Sequence, residues 1–477
     1  MSIQAWFRPS RVRRSIAAGL VVLSTGGLVL ARTPAGNGLS GGPETHVALA
    51  GGSNAASFSG PGVRGRFALS HTAVLAGGDR RVFAELDLRA DPGDRPVTRA
   101  PLSIAVVLDT SGSMGGEKID EAKRSCVKLV RDMRDDDEIA FVRYASDTEL
   151  VQPLARVGQV REALIARIEA IQAGGGTNIP PALAQAMRAL ADAGKGRVRR
   201  VVLASDGLDQ SRALAEQYAK SSADQGVTVS SMGIGLDFDA GYMGGVARAG
   251  HGNFGFVKDG ASLATFLHRE LEETATTTVE AVSARVRLPE GVRFVQATGA
   301  AAQQLGSGEI ELTVGSLFAG DERRVLVELT ASVAAGESRG FEGSVAWSAV
   351  GGDTATARFG GVALAGSSDA LAVEAGRDGA VLANATSVLA STRQIEAAAA
   401  YARGDDARAQ ALIEQNVSDL RAAAAVAPAA AAPLQAQVAE YEGNRRSFAA
   451  PRGSDVGRAA AKAVTEKNLY NNDRVGF

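Results

Sequence analysis

The sequence predicts an α/β unit with a doubly wound, mostly parallel sheet, together with a small antiparallel β-sandwich domain and a helical C-terminal region. Three observations carry this expectation. From Ser103 to about Thr277, strand-length apolar runs alternate with helical stretches, as a parallel sheet covered by helices does. On both sides of that stretch, apolar residues recur at every second position, the mark of antiparallel strands with one face on a core. After residue 367 the chain turns alanine-rich with helical spacing.

Taken in order, residues 1–32 read as an export signal or anchor. Arg8, Arg11, Arg13 and Arg14 precede an apolar run from Ile16 to Ala31, and Val29-Leu30-Ala31 offers small residues for cleavage. That run of 16 residues, softened by Ser24, Thr25, Gly26 and Gly27, falls short of the roughly 20 that span a bilayer. An uncleaved membrane anchor is the alternative; either way the expectation is an exported protein of the periplasm or cell surface. Residues 33–60, rich in Gly, Ala and Ser, read as a flexible linker. Residues 61–100 read as β strands, with Ala84, Leu86 and Leu88 alternating with Glu85 and Asp87.

The α/β unit occupies 101–277. Its expected strands are Ser103–Leu108, Glu138–Tyr144, Glu149–Leu154, Arg200–Ala204, Val227–Gly233 and Asn253–Val257. Its expected helices are Lys118–Met133, Gln159–Ile171, Pro180–Ala193, Gln210–Gln225, Asp239–Ala249 and Ala261–Thr274. Residues 278–366 return to period two, around Val282–Leu288, Ile310–Val314, Val325–Leu329, Phe341–Trp347 and Thr354–Val362. These strands and those of 61–100 are expected to share one sandwich, with the α/β unit inserted between them. Residues 367–442 are expected to be helical, with a hairpin at Gly404-Asp405-Asp406 and an interruption at Pro428 and Pro433. From Gly443 to residue 477 the expectation is a weakly ordered tail with one more helix near Val456–Leu469.

Composition removes several function classes. There are 51 Lys plus Arg against 53 Asp plus Glu, a net charge of −2, so no basic footprint for nucleic acid exists. Aromatics at 5% are too few for base-stacking platforms. Cys126 is the single cysteine, which excludes an internal disulfide and a cysteine-based zinc site, and it falls inside a helix as a small apolar residue. Four histidines, at 46, 71, 251 and 268, make a poly-histidine metal site a poor expectation. Gly174–Gly176 is followed by no Gly-Lys-Ser/Thr, so it is not a phosphate loop.

The informative segment is Ile104-Ala-Val-Val-Leu-Asp109-Thr-Ser111-Gly-Ser113-Met114. A buried strand ends at Leu108, and a carboxylate and two hydroxyls follow where open α/β sheets bind ligands. Thr177 after three glycines, and Asp206 at the end of Val201–Ala204, occupy matching places. Oxygen donors without nitrogen or sulfur suit a hard divalent ion, Mg²⁺ first, with Mn²⁺ or Ca²⁺ as alternatives. Singly, each residue has a plainer role: Ser111, Ser113, Thr177 and Asn178 as helix caps, and Asp206-Gly207 as a turn.

Together these residues resemble the von Willebrand factor type A (VWA) family. Asp-x-Ser-Gly-Ser-Met at Asp109–Met114, Gly-Gly-Thr at Gly175–Thr177 and Asp-Gly at Asp206-Gly207 are similar in order and spacing to its metal-ion-dependent adhesion site (MIDAS). The likeness covers about residues 101–275 and is closest to bacterial exported proteins that add a small β domain and a helical C-terminus. It implies a Rossmann-like fold in which Ser111 and Ser113 coordinate Mg²⁺ directly. Thr177 would then ligate directly or through water, and Asp109 and Asp206 would supply charge. It also implies a binding protein, not an enzyme, whose partner presents an Asp or Glu to complete the ion's shell. Two other readings stand beside it: a structural or assembly protein of the cell envelope whose metal merely stabilises the loops, and a metal-assisted hydrolase, which lacks a placed general base.

Overall fold

The computed structural model describes residues 53–92, 100–206, 209–258, 260–306, 308–350 and 352–473. The export signal expected over 1–32, and most of the linker expected over 33–60, lie outside the described residues. Among those described, no helix is long and apolar enough to cross a membrane.

Four strands come first: β1 (Ala55–Gly60), β2 (Val63–Leu69), β3 (Ala73–Leu75) and β4 (Arg80–Ala90). β1 corrects the linker expected to run to residue 60. Its Phe58 is buried and stacks on Phe359, so one aromatic side chain orders a segment that is otherwise Gly, Ala and Ser.

The α/β unit follows as β5 (Leu102–Asp109), α1 (Glu117–Asp132), β6 (Glu138–Tyr144), β7 (Thr148–Arg156), α2 (Val157–Glu169), α3 (Ile179–Leu190) and β8 (Val198–Ser205). It continues with α4 (Arg212–Asp224), β9 (Val227–Ile234), α5 (Ala240–Ala249), β10 (His251–Val257) and α6 (Gly260–Ala275). The sheet order is β10-β9-β8-β5-β6-β7, parallel except for the antiparallel β6–β7 pair. β5 is buried along its whole length because helices cover both faces. Ile104, Val106 and Leu108 point into a core shared with α1, α2 and α6, while Ala105 and Val107 face α3, α4 and α5. Cys126 of α1 lies in the first of these cores, and burial pushes its thiol up to about 12, an unreactive position.

Seven further strands, β11 (Thr277–Arg287), β12 (Val292–Thr298), β13 (Ala301–Leu305), β14 (Glu309–Phe318), β15 (Glu322–Ala331), β16 (Ser338–Ala349) and β17 (Thr354–Ser367), complete a sandwich. Its sheets run β1-β2-β4-β15-β12 and β13-β14-β11-β16-β17-β3. β4 pairs with β15 from Arg89↔Glu322 to Arg80↔Ala331, so strands on both sides of the α/β unit share one sheet and one core. The α/β unit is an insertion in the sandwich. One pair departs from the antiparallel expectation: β3, a three-residue strand, lies parallel to β17 at the sheet edge, where unpaired backbone groups accept a crossing segment.

The C-terminal helices are α7 (Ala370–Ala375), α8 (Gly379–Arg403), α9 (Asp406–Val426), α10 (Ala431–Ser447) and α11 (Asp455–Asp473). Gly404 ends α8 in the left-handed conformation (φ 86°), and the Asp405 carboxylate accepts from Arg408 N at 3.2 Å to start α9, forming the expected hairpin. Pro433 sits in the first turn of α10, where its missing N–H costs no helical bond. The helix expected near Val456–Leu469 is present as α11, and its docking corrects the weakly ordered tail expected around it over 443–477. Leu469 packs into the α/β core against Gly244 of α5, and Asn468 accepts a 2.7 Å hydrogen bond from the Tyr441 hydroxyl of α10. A few well-placed side chains hold this helix, which composition undercounts.

Candidate metal centre

The sheet order places the reversal of winding between β5 and β8, with β6 to one side and β9 to the other. Such a switch point leaves a crevice beyond the carboxyl ends of the strands. Asp109 is the last residue of β5, and Asp206 directly follows the last residue of β8. The expected carboxylates therefore flank the crevice, and both are buried, at 0% and 1% exposed.

The loop after β5 is a single turn of 3₁₀ helix, Gly112–Met114, pinned by the fully buried Met114. That turn brings the Ser111 and Ser113 hydroxyls to 3.0 Å, and Ser113 Oγ donates to Asp206 Oδ1 at 2.8 Å. Neither serine caps a helix through its side chain, and neither does Asn178 at the start of α3. The plainer reading as caps is thus not realised by these side chains.

Asp109 has both oxygens occupied. Oδ1 accepts from Ser111 N at 2.8 Å; Oδ2 accepts from Ser205 Oγ at 2.6 Å and from the Tyr144 hydroxyl at 3.3 Å. Burial pushes the Asp109 pKa up; the bonds from Ser111 and Ser205 pull it down, and the nearby Asp206 charge raises it. Tyr144, fully buried, stays protonated because burial and the Asp109 charge both disfavour a phenolate.

Thr177 is half-buried on the loop before α3 and makes no hydrogen bond to the other four among the described residues. Its loop is tied to theirs by the backbone: Gly174 N donates to Thr110 O at 2.7 Å, and Gly112 N donates to Gly175 O at 2.9 Å. Gly175 has φ 84°, and a side chain there would meet Ser146 and Ala145, so only glycine lets the loop approach this closely. The structure thus joins Asp109, Ser111, Ser113 and Asp206 through side chains and brings Thr177 beside them through backbone. Gly207 lies outside the described residues.

Three residues were missed by sequence reasoning. Tyr144 and Ser205 end β6 and β8, and the same carboxyl-edge rule that selects Asp109 would have selected them. Lys118, in the first turn of α1, donates from Nζ to Asp206 Oδ2 at 2.5 Å and to Ser113 O at 3.3 Å. A cation at a helix N-terminus opposes the helix dipole, and that was the available signal.

The oxygens suit a hard cation. Around an ion with bonds of about 2.1 Å, neighbouring octahedral ligands lie about 3 Å apart. Ser111 Oγ, Ser113 Oγ and Asp206 Oδ1 are spaced at 3.0 and 2.8 Å. No group of three or more His, Cys, Asp or Glu side chains gathers for a metal among the described residues, so hydroxyls must supply part of any shell.

Comparison with known proteins agrees with the fold. Residues 103–269 match the von Willebrand factor type A domain model. The chain is 28% identical over 268 residues to the uncharacterized protein YfbK of Escherichia coli, covering 53% of this chain and 45% of that one. It is 31% identical over 116 residues to inter-alpha-trypsin inhibitor heavy chain H4 of Bos taurus, covering 22% and 13%. The chain thus spans less than half the length of these curated relatives. Among solved structures, a von Willebrand factor type A protein from Catenulispora acidiphila aligns with TM-score 0.65 at 19% identity, covering 89% of this chain and 98% of that one. The ArnB paralog VWA2 from Sulfolobus acidocaldarius aligns with TM-score 0.58 at 14% identity, covering 87% and 100%. These two alignments extend well beyond the α/β unit, so the fold likeness includes the flanking regions.

Proposed function

We propose that this VWA-domain protein is a non-enzymatic, metal-ion-dependent protein-binding module. VWA domains mediate protein–protein interactions, often with a divalent metal. In this chain Ser111, Ser113 and Asp206 would hold the ion, Mg²⁺ by the hardness of the donors, with Thr177 beside them. When bound, the ion supplies an incompletely neutralised charge and an exchangeable position that an Asp or Glu of a partner protein can fill. Asp109, already engaged by Ser111, Ser205 and Tyr144, orients the serine loop and adds negative charge behind it.

The observation that carries this reading is the run of three oxygens at cation-ligand spacing across the switch-point crevice. The groups gathered there are carboxylates, hydroxyls and one ammonium, which favours binding over hydrolysis. The arginines and apolar run of residues 8–31 support action outside the cytoplasm. Affinity capture from an envelope extract in Mg²⁺ tests the proposal. Wild type should retain a partner that Ser111→Ala loses, and a chelator should mimic the substitution with the fold intact. Capture that persists in excess chelator overturns it.

A further inference from the structure

We propose that Lys118 is a resident counter-cation of the crevice, competing with the divalent ion for Asp206 and thereby setting the affinity of the site. This rests on the metal-binding reading above and adds to it a residue outside the expected ligand set. Asp206 is buried, and a buried carboxylate needs a partner. Its two oxygens are divided: Oδ1 accepts from Ser113, and Oδ2 accepts from the Lys118 ammonium at 2.5 Å. A divalent ion drawn to Asp206 and the serines meets that ammonium on the same carboxylate, and like charges repel strongly in a site with little solvent. Entry of the ion therefore requires Lys118 to leave.

The structure offers it a place to go. Asp237, in the loop after β9, has Oδ2 3.8 Å from Lys118 Nζ and is largely exposed. The lysine stem runs past Gly235, where a Cβ would lie 3.1 Å from Lys118 Cε, so the glycine keeps this path clear. Asp237 is also claimed by Arg458 of α11, at 2.6 Å. The balance between two seats, a buried one at Asp206 and an exposed one shared with Arg458, sets how readily the crevice opens to an ion. The C-terminal helix is thereby electrostatically linked to the site.

Titration of the full chain with Mn²⁺, reading free ion by electron paramagnetic resonance, tests this through signed effects. Lys118→Met should bind about tenfold tighter than wild type, and Lys118→Gln should behave alike. Asp237→Asn, which removes the alternative seat, should bind a few-fold weaker. Arg458→Gln, which frees that seat, should bind a few-fold tighter. A merely structural role would weaken binding in every variant. Wild type and both Lys118 variants binding equally overturns the competition while leaving the metal site standing. If neither wild type nor the Lys118 variants bind Mn²⁺, the metal reading falls and this inference with it. Binding by the Lys118 variants alone supports the competition in its strongest form.

Discussion

The two ends of the central parallel sheet are built on opposite electrostatic plans. At the amino end, carboxylates are matched by cations or amides. Glu138 takes Ser103 Oγ at 2.6 Å and Arg197 at 3.3 Å; Glu270 takes Arg200 at 2.6 Å and the Asn253 amide at 2.6 Å. At the carboxyl end, Asp109 and Asp206 are both buried, and Lys118 is the only cation bonded to either among the described residues. The first end is closed by these pairs, two of which tie α6 to β8 and β10. The second holds two buried carboxylates against one cation, a surplus of negative charge that suits a ligand-binding end. The difference teaches that burial of charge is not itself a functional mark; a buried excess of one sign of charge is.

Breaking the amino end should cost stability without touching ion binding. Glu270→Ala strands Arg200, whose side chain is 8% exposed, and should lower unfolding free energy by about 3–5 kcal/mol in a urea titration. Mn²⁺ affinity measured alongside should stay within a few-fold of wild type. A collapse of affinity would mean that the two ends are not independent.

A smaller effect is expected from pH. His251 begins β10 with φ 53° and packs against Gly315 of the sandwich. Burial holds its pKa down to about 4 from 6.5, with Arg323 and Lys220 acting in the same direction and Asp224 against them. Between these values the unfolded chain takes up a proton that the folded chain refuses. Stability is therefore full above pH 6.5, falls as pH drops towards 4, and loses nothing more to this group below that. The loss should be about 1–3 kcal/mol. His251→Asn, which tolerates positive φ, should flatten this part of the profile in thermal unfolding across pH 4–7.

The smallest effect sharpens the carboxyl end. Tyr144→Phe removes one donor from Asp109 Oδ2, which keeps its bond from Ser205. Stability should fall by about 0.5–1.5 kcal/mol, with a few-fold weaker Mn²⁺ binding by calorimetry. Unchanged binding would show that Ser205 alone suffices to hold Asp109.

Much of this was legible because it is local. The unbroken apolar run Ile104–Leu108 reports a strand buried on both faces, and Asp-Thr-Ser-Gly-Ser-Met after it marks the crevice. What stayed illegible was carried by single distant contacts. Phe58 turns an expected linker into a strand, Leu469 and Asn468 dock a helix expected within a loose tail, and the polar strands β12 and β13 are paired by β15 and β14.

From its own periodicity and spacing, the chain determines a parallel sheet with hydroxyls and acids at its carboxyl edge, since each strand and helix records locally which of its faces is buried. Only the tertiary structure decides that Ser113 and Lys118 meet Asp206 across more than eighty residues, that Tyr144 and Ser205 hold Asp109, and that Arg458 reaches Asp237. Those meetings depend on strand order and helix docking, which arise from the packing of the whole core and leave no periodic trace in any one segment.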